Sequence, residues 1–381
     1  MVADAAQRRR VGLVLDEFPY LVDAEPALPS ILQRWWDRTG SRRDLVVVLS
    51  GSEQAMMRRL ISADGALYGR PTRSIWLRPF DYFHAGALIR RWRPKDRIRA
   101  YAIAGGIPDL LEEFRTDQPL SNELLRLACS PDGRLFREAP DLLRSEFTEP
   151  KTYESVLRAI ARGEHQPSRI AALAGMKSAS TLTPYLERLI RLELVERRTL
   201  PSEAADPRPR ISRYVLADPY LRFYFALVDP WRSAILLGQG ARVLADLWPV
   251  AIDEYVSRVF EEVAAQYVRR LSGAGELPPL EAVGRHWIAA GDVDVVGTSG
   301  GRVLVAGSAK WTRAVVKPGD LAGLGRDVAA ISAPDDPTLL LFSRSGFEPA
   351  LRSVPGVRLV SPADLYRPAL EYEAGATRRE G

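Results

Sequence analysis

Two adjacent carboxylates, Asp16 and Glu17, end an unbroken apolar run in the stretch "VGLVLDEFPYLV". At the end of a rigid strand, such a pair can do phosphate chemistry. The Asp holds Mg²⁺ through its water shell, and the Glu polarises the attacking water. Polar residues closing a strand at the surface would read the same way. A second run, "DLVVVLSGSE", stops at Ser50-Gly51-Ser52. Open α/β sheets build their ligand sites from polar residues at the carboxyl ends of parallel strands. These serines serve equally well as caps for a following helix. A phosphate site also needs a loop of the form G-x-x-x-x-G-K-[ST], whose backbone amides cradle the phosphates. The 381 residues contain no such loop; "AGMKS" offers Lys177-Ser178 with no glycine directly before the lysine.

The elements that hold these residues follow from periodicity. Val11–Leu15 and Leu45–Leu49 read as buried parallel strands, since their apolar residues are continuous rather than alternating. An amphipathic helix lies between them around Ile31–Trp36. "ALYGRPTRSIWLRPFD" places Arg70 in a turn rich in Gly and Pro, before another short strand, and Gly105-Gly106 with Pro108 separate two helices. From Leu124 to about Arg232 the pattern is that of a winged helix. It has a helix at Tyr153–Arg162, a short helix, a turn at Gly175, and a longer helix from Ser178 carrying Leu182, Tyr185, Leu186, Leu189 and Ile190. Leu194–Arg198 and Arg213–Leu216 follow as wing strands. From about Leu247 a helix leads into a hairpin turning at Gly300-Gly301, then the strands Thr338–Phe342 and Val357–Val360. The tail 371–381 is expected to be disordered.

Composition narrows the class. The length predicts two or three domains, and 46% hydrophobic with 27% charged residues is the balance of a folded, soluble protein. Against 48 acidic residues stand 53 lysines and arginines, a net charge of +5. That excess permits an acidic partner without demanding one. The single Cys129 excludes an internal disulfide and fits a reducing, cytoplasmic setting. His84, His165 and His286 are scattered without cysteine companions, which argues against zinc. No run is long enough to span a membrane, and the first ten residues lack a signal-peptide core.

The order of motifs resembles that of the archaeal-type AAA-like ATPases of prokaryotes, related to the STAND group. The matching stretches are "LVLDEFPYL", "VVLSGSEQAMM", "ALYGRPTRSIWLRPF", "GGIPDLL", "SEFTEPKTYESVLRAIARGE", "RYVLADPYLRFYF" and "GDVDVV…GSAKW". The resemblance implies an α/β chain with a partial P-loop-type ATPase core at 1–115 and an α+β winged-helix domain at 116–235. A degenerate restriction-endonuclease-like α/β domain at 245–370 completes it. It further implies ATP and Mg²⁺ as cofactors, with Asp16 as the metal residue, Glu17 positioning water, Ser52 sensing the γ-phosphate and Arg70 approaching phosphate. In that family the phosphate-binding loop lies upstream of the Walker B strand. The expectation is therefore a nucleotide-dependent switch that lacks its loop here, through truncation or degeneration.

Two alternatives stay open. The longer helix presents Lys177, Ser178, Ser180 and Thr183, and the wing Arg197 and Arg198, for DNA. The same domain could instead act as a rigid connector or a protein contact. Nucleases of the resembled fold place an Asp on one strand and Glu-x-Lys on the next, two carboxylates holding Mg²⁺. Here Asp294 and Lys310 are in place, Ser308 stands where the Glu would be, and Asp292 or Glu261 is left to compensate. One carboxylate short, this domain is expected not to cleave nucleic acid.

Overall fold

The computed structural model describes residues 10–51, 54–204, 206, 209–288, 291–331 and 336–368. The chain divides into two compact units, Met1–Arg78 and Pro79–Gly381. The tail expected at 371–381 lies outside the described residues.

In the first unit β1 (Val11–Leu15) pairs in parallel with β2 (Leu45–Leu49), residue 11 opposite 45 and 15 opposite 49. A parallel pair needs a crossover. It is supplied by α1 (Phe18–Ala24) and α2 (Leu28–Arg38), while α3 (Gln54–Ile61) follows β2. Phe18, Val22, Met56, Leu60 and Leu67 form the core, with Leu15 and Leu49 packed against it. Both strands lie at the expected residues, yet they are not buried on both sides. Val14, Val46 and Val48 are 62%, 52% and 46% exposed. Helices cover one face of this two-stranded sheet, so alternate residues of each continuous apolar run face outward. The short strand expected after Arg70 does not form. Residues 73–80 carry no regular structure, and Ile75 and Leu77 are exposed.

The second unit begins earlier than the expected boundary near residue 115. It opens with α4 (Tyr82–Leu88), α5 (Pro94–Ala104) and α6 (Pro108–Glu112). Ile98 and Ala100 to Ala104 are all buried. The last turns of α5, from Ala100 to Ala104, are apolar all round and must sit in an interior. Its cover comes from far along the chain: α12 (Pro219–Phe223) and the long α13 (Trp248–Gly273). The Tyr255 hydroxyl on α13 lies 2.7 Å from the carbonyl of Ala102, and the Tyr82 amide donates to Gln266 Oε1 at 3.0 Å.

Between these ends, α7 (Leu120–Leu127) and α8 (Arg134–Glu146) precede three helices and a hairpin. The helices are α9 (Pro150–Ala161), α10 (Pro167–Leu173) and α11 (Ala179–Arg191). Gly175, with φ +72°, makes the turn between the last two, where a side chain would be strained. The hairpin pairs β3 (Val195–Thr199) antiparallel with β4 (Ser212–Leu216). Helix α13 then feeds a five-stranded sheet of β5 (Ala282–Ile288), β6 (Gly291–Ser299), β7 (Arg302–Lys310), β8 (Thr338–Ser343) and β9 (Val357–Val360), in sequence order. The first three strands run antiparallel, and β7, β8 and β9 are parallel, with α14 (Pro318–Ile331) joining β7 to β8 and the 3-10 turn Pro349–Ser353 joining β8 to β9. Leu324 and Val328 of α14 pack on Val293, Val296, Val303 and Ala306. Val263, Val259 and Phe260 of α13 join Val295, Val305 and Phe342 in the larger core.

Candidate functional site

The carboxyl ends of β1 and β2 meet at a hydrogen-bonded pair. Ser50 Oγ donates to Asp16 Oδ1 at 2.6 Å, and the Glu17 amide donates to the same oxygen at 3.1 Å. The Phe18 amide in turn donates to the Ser50 carbonyl at 2.8 Å, tying the two strand ends together. Glu17 sits between strand and helix at φ 45°, ψ 49°, the left-handed region that residues with a Cβ rarely adopt. Such geometry persists where the surroundings over-determine it, and it is concentrated at functional turns. Close behind the turn lies Gly51, where a Cβ would come within 2.5 Å of Pro19. Ser52 lies outside the described residues. Arg70 does not stand free for phosphate. Its guanidinium forms a two-point pair with Asp37, at 3.0 and 2.8 Å, and also donates to the Tyr68 carbonyl. That hydrogen bond, with the charge of Arg70, holds the Asp37 carboxyl below its usual range although burial opposes it.

A second cluster occupies the junction of α13 with β5, β6 and β7. Asp294 Oδ2 accepts from Ser308 Oγ at 3.0 Å and from the Ala309 amide at 2.8 Å, with Lys310 Nζ 3.9 Å away. Arg285 bridges two carboxylates, holding Asp292 at two points (3.0 and 2.7 Å) and Glu261 at 2.8 Å. Burial and the neighbouring Asp294 push the Glu261 carboxyl up to about 8, against the pull of Arg285. Asp294, Ser308, Lys310 and Glu261 are thus neighbours. Asp292 and Glu261, the carboxylates expected to compensate, are both paired with Arg285. Among the described residues no group of three His, Cys, Asp or Glu side chains is placed to hold a metal ion.

Of the candidate DNA-facing residues, Lys177, Ser180 and Arg197 are exposed, although the Ser180 hydroxyl shares a 2.7 Å hydrogen bond with Ser178 and Arg197 Nε donates to Ser212 Oγ at 2.8 Å. Ser178 caps α11, accepting from the Thr181 amide, and Thr183 donates back to the Ala179 carbonyl, so both hydroxyls serve the helix. Arg198 is not available for DNA: its guanidinium bonds Glu262 at 2.7 Å and Glu196 at 2.6 Å. Arg222 meets the same Glu262 oxygen at 2.7 Å. Burial opposes ionisation of Glu262, but the two arginines bring its carboxyl down to about 2. Sequence reasoning missed Glu262, Arg285 and Asp37, since each pairs with a partner on a different element.

Comparison with known proteins gives three likenesses. Residues 224–319 match the family described as archaea bacterial proteins of unknown function (DUF234). An uncharacterized protein of Methanocaldococcus jannaschii is 31% identical over 290 residues, which is 74% of this chain and 63% of that protein. A Walker-type ATPase of Pyrococcus abyssi is structurally similar, at a TM-score of 0.43 and 21% identity, over 59% of this chain and 65% of that one. No helix among the described residues is long and apolar enough to cross a membrane. The chain spans less than two thirds of the length of the curated relative it matches.

Proposed function

We propose that the first unit is the metal- and water-handling half of a nucleotide hydrolase site, in a chain that works as a nucleotide-dependent switch. The observation that carries this reading is the 2.6 Å contact between Asp16 and Ser50 at the carboxyl ends of two parallel strands. Ligand sites of open α/β sheets lie outside such ends. Mg²⁺ is commonly held by one or two carboxylates together with substrate phosphates and water. A single Asp16 beside a serine hydroxyl therefore fits an ion that arrives with the nucleotide, not one resident without it. When bound, the ion neutralises charge on the phosphates. Glu17, fixed by the left-handed turn, takes the position from which a carboxylate orients water.

The 381 residues contain no phosphate-cradling loop. Such a loop supplies most of the amide donors and the lysine charge on which tight nucleotide binding depends. In this reading residues 150–216 act as a winged-helix connector, and residues 245–370 as a nuclease-like layer one carboxylate short. The chain by itself accordingly turns over no appreciable ATP. An ATP hydrolysis assay on the purified protein tests this. Turnover abolished by Glu17→Gln would place a complete site within these residues and overturn the half-site reading.

A further inference from the structure

Ser50 is tied to the end of β1 and the turn after it at three points. Its amide donates to the Leu15 carbonyl at 3.1 Å, its carbonyl accepts from the Phe18 amide at 2.8 Å, and its hydroxyl donates to Asp16 Oδ1 at 2.6 Å. A serine side chain has a single heavy-atom torsion. With the backbone held on both sides of its Cα, the bond to Asp16 settles where the hydroxyl points. The carboxylate is settled at one oxygen in turn. Oδ1 accepts from both Ser50 Oγ and the Glu17 amide, whereas Oδ2 accepts no hydrogen bond among the described residues. Asp16 is exposed, so Oδ2 is open to a ligand.

A hydroxyl has one donor and two lone pairs, and an ionised carboxylate has acceptors alone. Once the Ser50 proton is spent on Asp16, the two side chains together offer only acceptors. A phosphate oxygen offers acceptors too and finds no partner in this pair. The water shell of Mg²⁺, which the ion gives up reluctantly, offers O–H donors. We infer that Ser50 is a positioning residue for the metal: it aims Asp16 Oδ2 and its own lone pairs at the waters of a Mg²⁺ ion arriving with the nucleotide, and it does not touch phosphate. The inference rests on the half-site reading given above. The resemblance names Ser52 for sensing phosphate; Ser50, two residues earlier and hydrogen-bonded to Asp16, serves the ion instead.

Amide spectra of the intact chain, recorded with ATP and increasing Mn²⁺, test the role of Ser50. Loss of a group that orients a metal-binding side chain costs about tenfold or more in metal affinity. Half-maximal broadening at Glu17 and Gly51 should therefore need about tenfold more Mn²⁺ in Ser50→Ala. Ser50→Thr, which keeps the hydroxyl, should restore the wild-type requirement, and the Leu13 and Val47 amides should keep their positions in both variants. In the wild type, where no substitution is needed, hexaamminecobalt(III) should shift the same two amides, because its ammine ligands imitate a water shell and do not exchange. An unchanged Mn²⁺ requirement in Ser50→Ala, with broadening abolished by Asp16→Asn, would overturn the role of Ser50 and leave the half-site reading standing. Failure of Ser50→Thr to restore binding would also overturn it. Hexaamminecobalt(III) without effect on these amides would show that the metal is contacted directly and overturn the assignment to its water shell. Broadening that survives Asp16→Asn, or none in the wild type, would overturn both readings.

Discussion

Glu262 shows how far one buried carboxylate can organise its surroundings. It accepts from Arg198 on β3 and from Arg222 on α12, joining the hairpin and a core helix to α13. Removing one member of a buried charge network leaves its partners uncompensated, at a cost of about 3–5 kcal/mol. Glu262→Gln should lower stability by that order in chemical denaturation. With its carboxyl brought from 4.5 to about 2, Glu262 stabilises the fold above pH 4.5, and this contribution is lost as the pH falls toward 2. Glu261 has the opposite sign. Raised from 4.5 to about 8, it contributes stability that is full below pH 4.5 and lost as the pH rises through 8. Glu261→Gln should therefore flatten the pH dependence of the melting temperature between pH 5 and 8. An unchanged profile would mean that Glu261 is ionised in the fold throughout that range. The left-handed backbone at Glu17 gives a further expectation. Glu17→Gly relieves a conformation that costs a residue with a Cβ about 1 kcal/mol, so it should leave stability equal or higher. A marked loss would show that the Glu17 side chain holds the turn.

The parallel pair β1–β2 leaves Val14, Val46 and Val48 exposed on one face. Its outward valines lie near water, so Val48→Thr should change stability by no more than about 0.5 kcal/mol, the range of surface substitutions. A loss several times larger would mean that this face is packed in solution. Strand positions were legible in the sequence because each apolar run is bounded by hard stops, Asp16-Glu17 for one and Ser50-Gly51 for the other. Their exposure was not legible. A continuous apolar run signals cover on both faces, and only the fold reveals that helices lie on one. The helices of 150–191 were readable from Leu182, Leu186 and Leu189 at helical spacing and from the glycine turn before them. What escaped were the pairings between elements far apart in the sequence. No local pattern matches Arg198 to Glu262, 64 positions on, or Arg70 to Asp37, 33 positions back. Of the candidate site residues, Asp294, Ser308 and Lys310 do converge, since a hairpin with its turn at Gly300-Gly301 fixes which residues of β6 and β7 face each other.

The two compact units differ in how much core each can build. The first rests on a handful of buried side chains around Phe18, whereas the second has a large core from Tyr82 to Leu365 and a smaller one beneath α14. Opening free energy follows such packing. Hydrogen exchange should therefore release the amides of β1 and β2 well before those of β7 and β8, and equal protection would contradict the picture. The strand ends of this thinly packed unit carry the proposed nucleotide chemistry. Paramagnetic broadening by Mn²⁺ added together with ATP, read on amide signals of the intact chain, locates the metal. The account predicts weak binding that broadens Glu17 and Gly51 and disappears in Asp16→Asn. Broadening confined to the Asp294–Lys310 end, or a pattern at Glu17 and Gly51 that survives Asp16→Asn, would contradict it.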